Sequence, residues 1–331
     1  MARENAVATA SEAATGPAKL PGYLRFLLLI LLSSSTSVAL LSVGSEFLDP
    51  QLRAVTRSGT EDFHVLAPLA WKFTELAVCW FGSFDDIDIL SLSVLTHAPW
   101  FFLLTTFYEV APGSAILCLA VDAISVALPT RLLRPRAPAH NTNAPRAAVP
   151  NRGIINDVQT RAATSLLAAA VFAVALYTAL TTGFLTQHLV AHFDGIPTLE
   201  TAHAATLVNL LAVTLPLGYA AREFLLTPSL GALDNTADAK RKAFNPETAG
   251  LWEHVLYNFW WYEKGTRVLL RRTVTVVAVA MAHTVGHSVF ALEGGDAMGA
   301  VGFAGVWAAA TVVVAALFAW VEDVGESGES D

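Results

Sequence analysis

Two histidines one helical turn apart raise the chemical question in this sequence. His283 and His287 lie in the apolar stretch AMAHTVGHSV, residues 280–289. Positions i and i+4 of a helix project from one side, so both imidazoles can face the same metal ion. His97 and Asp122 also lie inside apolar segments. The four side chains together predict a metal site in which zinc activates water for hydrolysis.

Such a site requires helices that lie side by side in a membrane. Of the 331 residues, 54% are hydrophobic and only 15% are charged, which is more apolar surface than a soluble core needs. A helix crosses the hydrocarbon layer with about 20 apolar residues. The sequence therefore predicts an all-α polytopic transmembrane helical bundle of about seven spans, at 24–43, 88–108, 113–130, 163–188, 203–222, 270–291 and 297–320.

The segment 63–81 has a different pattern. It is amphipathic, with Lys72 and Glu75 on one helical face. A lysine in the middle of a span costs about 2.5–3.5 kcal/mol. We therefore expect this segment to lie in the membrane interface, and the bundle has eight spans only if the segment crosses.

The distribution of basic residues predicts the orientation. Six lysines and arginines lie in 131–162 and eight between Arg222 and Arg272, together 14 of the 20 in the chain. The connections 189–202 and 292–296 contain none. The positive-inside rule places both basic segments and the C-terminus in the cytosol. The N-terminus lies outside with seven spans and inside with eight, in the endoplasmic reticulum or the plasma membrane.

The remaining residues divide into tails, blocks and connections. The segment 131–162 lacks apolar periodicity and is predicted to be a basic, flexible cytosolic linker. Its arginines fit both a solvated linker and contact with anionic lipid. The full division is a disordered tail at 1–22, a first membrane block at 23–130, the linker, two spans within 163–222, a cytosolic loop at 223–269, the last two spans at 270–320 and an acidic tail at 321–331.

An aromatic stripe marks the second cytosolic loop. Asn245 can cap a helix over 246–262. On that helix Trp252, Phe259 and Trp260 form one face. Such a face suits the lipid headgroup layer, and a docking surface for a partner protein is the alternative.

Small residues predict close helix packing in the last span. Ala300, Ala304 and Ala308 recur every four residues, beside Gly305 and Ala309. Small residues at this spacing allow two helix backbones to approach closely. The pattern needs no catalytic role.

The sequence lacks the common motifs of soluble enzymes, namely a phosphate-binding loop, a GxSxG elbow, an HExxH helix and a dinucleotide fingerprint. Any catalysis would therefore lie in the bilayer. Ser93, His97, an acidic residue on the next span and the pair His283 and His287 form a pattern that is similar to alkaline ceramidases and related intramembrane hydrolases. That similarity implies a zinc-dependent hydrolase acting on a lipid, although here the histidine pair is on the sixth span and not the last.

Three other interpretations of the buried polar residues stay open. The histidines can hydrogen-bond between helices without binding a metal, or ligate haem iron axially. Pro99 and Pro216 interrupt spans, and helices broken in this way can line the path of a small-solute transporter.

The stretches FDDIDILSLSVL, AVDAISVALP and FDGIPTLETAHAAT resemble an uncharacterised multi-span membrane protein family of filamentous fungi. The resemblance covers most of the chain after residue 84 and implies a membrane location but no established activity. The expected function is a non-enzymatic membrane component or partner subunit. We expect contact with membrane lipids and with proteins in the membrane, no nucleic acid, and no cofactor unless the zinc-hydrolase alternative holds.

Overall fold

The computed structural model of the protein describes residues 20–48, 50–55, 62–149, 151–233, 243–259 and 264–327. The regular structure in these residues is helical and includes no β-strand, so the predicted all-α class is confirmed. Most of the tail predicted at 1–22 lies outside the described residues. In the acidic tail, the last helix continues to Ser327 and the final four residues lie outside.

Eight long helices, α1 to α8, form a bundle. Their bounds are Gly22–Gly44, Asp62–Phe81, Asp86–Phe107, Pro112–Leu133, Val158–Thr181, Leu207–Leu230, Lys264–Phe290 and Ala297–Ser327. All except α2 are among the seven helices long and apolar enough to cross a membrane, which confirms the seven predicted spans. Shorter helices connect them, at Pro50–Val55, Arg152–Asn156, Phe184–His192, Glu200–His203 and Leu251–Phe259, with 3₁₀ turns at Ser45–Phe47, Pro138–His140 and Arg146–Ala148.

Local side-chain chemistry sets the ends of α5 and α6. Asp157 caps α5, because its carboxylate accepts the Thr160 N–H at 2.7 Å. Gly183, at φ 74°, adopts the left-handed conformation that ends the helix. Thr206 caps α6 by accepting the Asn209 N–H at 3.3 Å. The observed α5 therefore begins and ends several residues before the span predicted at 163–188. The observed α6 begins and ends several residues after the span predicted at 203–222.

Successive long helices run in opposite directions, and their ends gather at two faces of the bundle. Arg134, at the end of α4, donates to the carbonyl of Phe84 just before α3, at 3.1 Å. Ser229, at the end of α6, donates to the carbonyl of Gly265 at the start of α7, at 3.0 Å. We call this face the arginine-rich end, and the other the opposite end.

Helix α2, the segment predicted to lie in the interface, packs against the bundle from the arginine-rich end toward the opposite end. Trp80, near its C-terminus, contacts Phe26 of α1 with ring centroids 5.9 Å apart, and its carbonyl accepts from Arg134 at 2.9 Å. Val55, before α2, accepts the N–H of Glu293 at the opposite end, at 3.2 Å. The 20 residues of α2 span about 30 Å, which is long enough for the eighth crossing that the sequence left open.

Helices α5 and α6 pack most closely at a glycine. A Cβ atom on Gly218 would lie 2.1 Å from the carbonyl oxygen of Ser165 and 2.7 Å from the nitrogen of Ala169. One turn away, the hydroxyl of Thr214 donates to the carbonyl of Ala169 at 2.9 Å. The close approach of the two backbones thus depends on the absence of a side chain at position 218.

The small-residue stripe of α8 is only partly used for packing. Ala300 and Ala304 are buried, as the pattern predicts. A Cβ on Gly305, however, would meet nothing within 4 Å, whereas one on Gly302 would overlap the ring of His188. Gly302 therefore makes the close approach that was predicted around Gly305.

The segment 131–162 differs from the flexible linker that its composition predicts. Ala144, Ala148, Val149 and Ile155 are buried against the bundle. These apolar residues have no regular spacing, so periodicity could not reveal them. The segment is also held by long-range charge pairs, which the next section describes.

The helix predicted over 246–262 is shorter in the structure. Asn245 accepts the N–H of Glu247 at 3.0 Å, but this contact closes a turn and the helix begins at Leu251. Trp252 on this helix is exposed. Trp260 and the side chain of Phe259 lie outside the described part of the chain, so the predicted aromatic face is described only at Trp252.

Candidate functional site

Three of the four predicted metal ligands come together in the middle of the bundle. The ring centroids of His97 and His283 are 4.0 Å apart, and those of His283 and His287 are also 4.0 Å apart. Trp71 and Trp100 flank the group, with centroids 5.8 Å from His283 and 5.6 Å from His287. We call His97, His283 and His287 the histidine cluster.

Asp122, the fourth predicted ligand, faces Lys72 of α2, with its Oδ1 3.8 Å from the Lys72 Nζ. The carboxylate beside the histidine cluster is that of Glu75, whose Oε1 lies 3.6 Å from His97 Nε2. Lys72 also contacts Glu75, at 3.4 Å. Two carboxylates thus offset the positive charge of Lys72, the residue whose cost argued against a crossing by α2.

The ring nitrogens of the cluster are held unequally. His97 Nδ1 lies 2.9 Å from the carbonyl of Ser93, and His287 Nδ1 lies 3.0 Å from the carbonyl of His283. A carbonyl only accepts, so each Nδ1 carries a hydrogen, which leaves Nε2 as the nitrogen that can bind a metal. Neither nitrogen of His283 has a hydrogen-bond partner in the described residues. Metal-binding histidines are commonly oriented by such carbonyl contacts.

Histidine nitrogens beside a carboxylate are suitable ligands for zinc. The rings, however, are in van der Waals contact, with centroids 4.0 Å apart. Zinc requires ligand nitrogens at about 2.0–2.1 Å from the metal. In the described residues, the ligand atoms of Asp85, Asp88 and His140 all lie within 4.8 Å of one another. The nitrogens of the histidine cluster do not meet this criterion. The arrangement can hold a metal only if the imidazole rings rotate.

A second group of ionisable residues lies at the arginine-rich end, around the carboxylates of FDDID, residues 84–88. Asp85 caps α3 by accepting the N–H of Asp88 at 2.9 Å, and its other oxygen lies 2.8 Å from His140 Nδ1. Asp86 accepts from Arg136 through both oxygens, at 2.9 and 2.7 Å. Both cations come from the segment that was predicted to be a flexible linker.

Asp88 binds a cation from the other half of the chain. Arg272 of α7 donates to both of its oxygens, at 2.5 and 3.0 Å. The guanidinium also lies over the rings of Phe84 and Phe224, 5.1 and 4.8 Å from their centroids. It donates to the Phe224 carbonyl at 2.9 Å, which lacks the usual i+4 donor because Pro228 has no N–H. Arg272 is therefore held from several directions.

Glu223 is the fourth carboxylate of this group. It lies in the π-helical turn Arg222–Leu226 within α6, whose residues are all buried. Its carboxylate accepts from its neighbour Arg222 and from Arg161, the latter at 3.5 Å, and its Oε2 lies 3.8 Å from His140 Nε2. A π-helical turn rotates the residues that follow it, and such turns are frequent at functional sites. We call these four carboxylates with their cations the charge network.

Proton binding is shifted in the pair that joins the linker to α3. Burial lowers the pKa of His140, but the hydrogen bond with Asp85 and the charges of Asp88 and Glu223 raise that pKa above its ordinary 6.5. Burial raises the pKa of Asp85, but the hydrogen bond and charge of His140 bring it below 3.8. The pair contributes its full stabilisation of the fold at pH values between these two ordinary pKa values, 3.8 and 6.5. The contribution is lost as pH rises through the raised pKa or falls through the lowered one.

Asp85, Asp88 and His140 are close enough to be considered as metal ligands, yet their atoms already have partners. Asp85 accepts from three backbone N–H groups and contacts His140, and Asp88 binds Arg272 through both oxygens. These contacts are those of a structural charge network. The sequence analysis did not predict this network. The signal was the three aspartates within residues 85–88, because buried carboxylates at the start of a helix require partners.

The comparisons with known proteins bear on the second half of the chain. Residues 157–321, just short of half of the sequence, match the Bouquet formation protein 3 C-terminal domain. No curated protein and no solved structure matches the chain. The matched region starts at the cap of α5 and contains Glu223, Arg272, His283 and His287. The segment from 157 to 321 is therefore similar to a fungal-type family named for bouquet formation.

Proposed function

We propose that the protein is a non-enzymatic, multi-pass membrane component that holds a partner protein at its arginine-rich end. Its interior charges support a structural role, because those of the charge network are bound to one another. The family that matches residues 157–321 is named for bouquet formation and not for a reaction.

The observation that carries the proposal is an ordered surface at the arginine-rich end. The charge network fixes the connection between α4 and α5 there. The connection between α6 and α7 leaves from the same end and presents the helix Leu251–Phe259. On this helix Leu251 is 86% exposed and Trp252 is 70% exposed. Exposed aromatic and aliphatic side chains on an ordered helix are typical anchors of protein interfaces.

Replacing Trp252 with serine is expected to remove the partner from the purified complex. The protein would be extracted from its native membrane in mild detergent, and its associated subunits would be quantified by mass spectrometry. The loss of a central aromatic anchor commonly costs about 2 kcal/mol or more, roughly thirtyfold in affinity. The matched control is Phe184→Ser, which removes a 56% exposed aromatic side chain at the opposite end. Equal recovery of subunits with both variants would refute the docking role.

We further propose that the arginine-rich end faces the cytosol of the endoplasmic reticulum or the plasma membrane. The positive-inside rule supports this orientation, and eight crossing helices then place both chain termini in the cytosol. A glycosylation acceptor introduced near residue 198, between α5 and α6, is expected to be modified in cells. An acceptor introduced near residue 143 is expected to stay unmodified. The reverse pattern would invert the proposed topology.

A second candidate function is a zinc-dependent intramembrane hydrolase that acts on a lipid. The specific observation in its favour is the histidine cluster, in which the ring of His283 has no hydrogen-bond partner among the described residues and Glu75 lies 3.6 Å from His97 Nε2. Bound zinc would supply an activated water. The hydrolase requires about one zinc per chain in the purified protein, measured by elemental mass spectrometry, and its loss in His283→Ala. The control is His203→Ala, at an exposed site. Absence of zinc after purification in zinc-containing buffer would exclude this candidate.

A further inference from the structure

A cavity of about 220 Å³ opens at the arginine-rich end, between the α4–α5 connection, the start of α5 and the end of α6. Its floor includes the buried residues Ile155, Arg222 and Thr227. Arg161 and Tyr219 lie at its rim and are partly exposed. Pockets for drug-sized ligands measure about 300–1,000 Å³, so this cavity suits a smaller group.

The lining of the cavity is strongly basic. Four guanidinium groups line it, from Arg136, Arg152, Arg161 and Arg222, against the single carboxylate of Glu223. Asp86 offsets Arg136 from outside the cavity, through two hydrogen bonds. Three guanidinium groups then share one carboxylate, which leaves an excess of two positive charges. An anion in the cavity would relieve this excess.

The most deeply placed arginine has hydrogen-bonding capacity left over. Arg222 is only 2% exposed. One terminal nitrogen donates to Glu223 and the other donates to the carbonyl of Ile155 at 2.7 Å. Its Nε has no hydrogen-bond partner in the described residues. Leaving a buried donor of a charged group unsatisfied is costly, so a ligand acceptor would stabilise this position.

We propose that this cavity binds the phosphate group of an anionic membrane lipid. Guanidinium groups bind phosphate oxygens through paired, charge-assisted hydrogen bonds. Basic pockets between membrane helices at the cytoplasmic side bind phosphorylated lipid headgroups. Tyr219 of α6 and Arg161 of α5 line the cavity and are half-exposed, so it is reached from the surface of the bundle. The inference rests on the membrane location proposed above and not on the partner role, so failure of the co-purification test would leave it intact.

The test is thermal unfolding of the full-length protein in detergent with three probes at equal concentration. These are dioctanoyl phosphatidylinositol 4-phosphate, dioctanoyl phosphatidylcholine and inorganic phosphate. We expect the first lipid to raise the melting temperature in a saturable manner, and the other two to have little effect. Equal stabilisation by inorganic phosphate would overturn the lipid as the source of the phosphate. Equal stabilisation by phosphatidylcholine would overturn recognition of the anion.

Variants locate the binding to the cavity. Arg161→Gln and Arg152→Gln are each expected to weaken the phosphatidylinositol 4-phosphate affinity about tenfold, the effect of losing one charge-assisted contact. The matched control is Arg271→Gln, which removes the same charge from an exposed position on α7 that does not line the cavity. Each variant is compared with and without lipid, so that a change in its own stability does not affect the result. Equal affinity of all three variants would place the lipid elsewhere and refute the proposal.

Discussion

Replacing Asp88 with asparagine is expected to lower the free energy of unfolding by about 3–5 kcal/mol, the range for removing one partner of a buried ion pair. Arg272 would keep its buried position between Phe84 and Phe224 but lose the carboxylate that neutralises it. Asparagine retains an oxygen that can accept the Asp85 N–H, as Asp88 does at 3.3 Å. The lost stability therefore measures the Asp88–Arg272 ion pair and not the cap of α3.

The measurement is equilibrium unfolding in detergent, compared with Asp122→Asn as the control. Asp122 is partly exposed and its carboxylate lies 3.8 Å from Lys72, which retains Glu75 as a partner. We expect the control to lose much less stability than Asp88→Asn. Similar losses in the two variants would mean that the Asp88–Arg272 pair has no special role in the fold.

Replacing Gly218 with alanine is expected to cost about 3 kcal/mol, the upper part of the range for overpacking a well-packed interior. The new Cβ would overlap the backbone of Ser165 and Ala169, which cannot move without separating α5 from α6. The measurement is the melting temperature in detergent, together with the elution profile of the protein.

Gly305→Ala is the matched control for Gly218→Ala, because a Cβ at Gly305 meets nothing within 4 Å. Alanine there is expected to be neutral or slightly stabilising, since glycine is the weaker helix former by roughly 0.5–1 kcal/mol. Equal destabilisation of the two variants would contradict the close contact between α5 and α6.

The sequence was sufficient to predict the helices that cross, because each needs only a long apolar run. It was less informative for α2, where Lys72 and Glu75 raise the apparent cost of insertion. That cost depends on partners, and Asp122 and His97 become partners only after the helices pack. Helix ends were displaced where a single residue, such as Gly183, overrides the apolar pattern.

The two polar groups differed in how far they could be predicted. His283 and His287 share a helix face, so periodicity alone places them together, and His97 joins them at the same depth. Sequence gives the depth of Asp122 but not the direction in which its side chain points, and Glu75 lies beside the histidines instead. The charge network joins residues as far apart as Asp88 and Arg272, and no local pattern encodes such a pairing.

The ion pair between Asp88 and Arg272 also bears on what can be cut from this chain. Asp88 precedes the region that matches the bouquet-formation domain, and Arg272 lies within it. His140 and Glu223 straddle the same boundary. A fragment that begins at residue 157 would carry the buried guanidinium of Arg272 without its counter-ion, and Glu223 without its contact to His140. The two halves should therefore unfold in one cooperative transition, and the C-terminal half expressed by itself should be less stable than the whole protein.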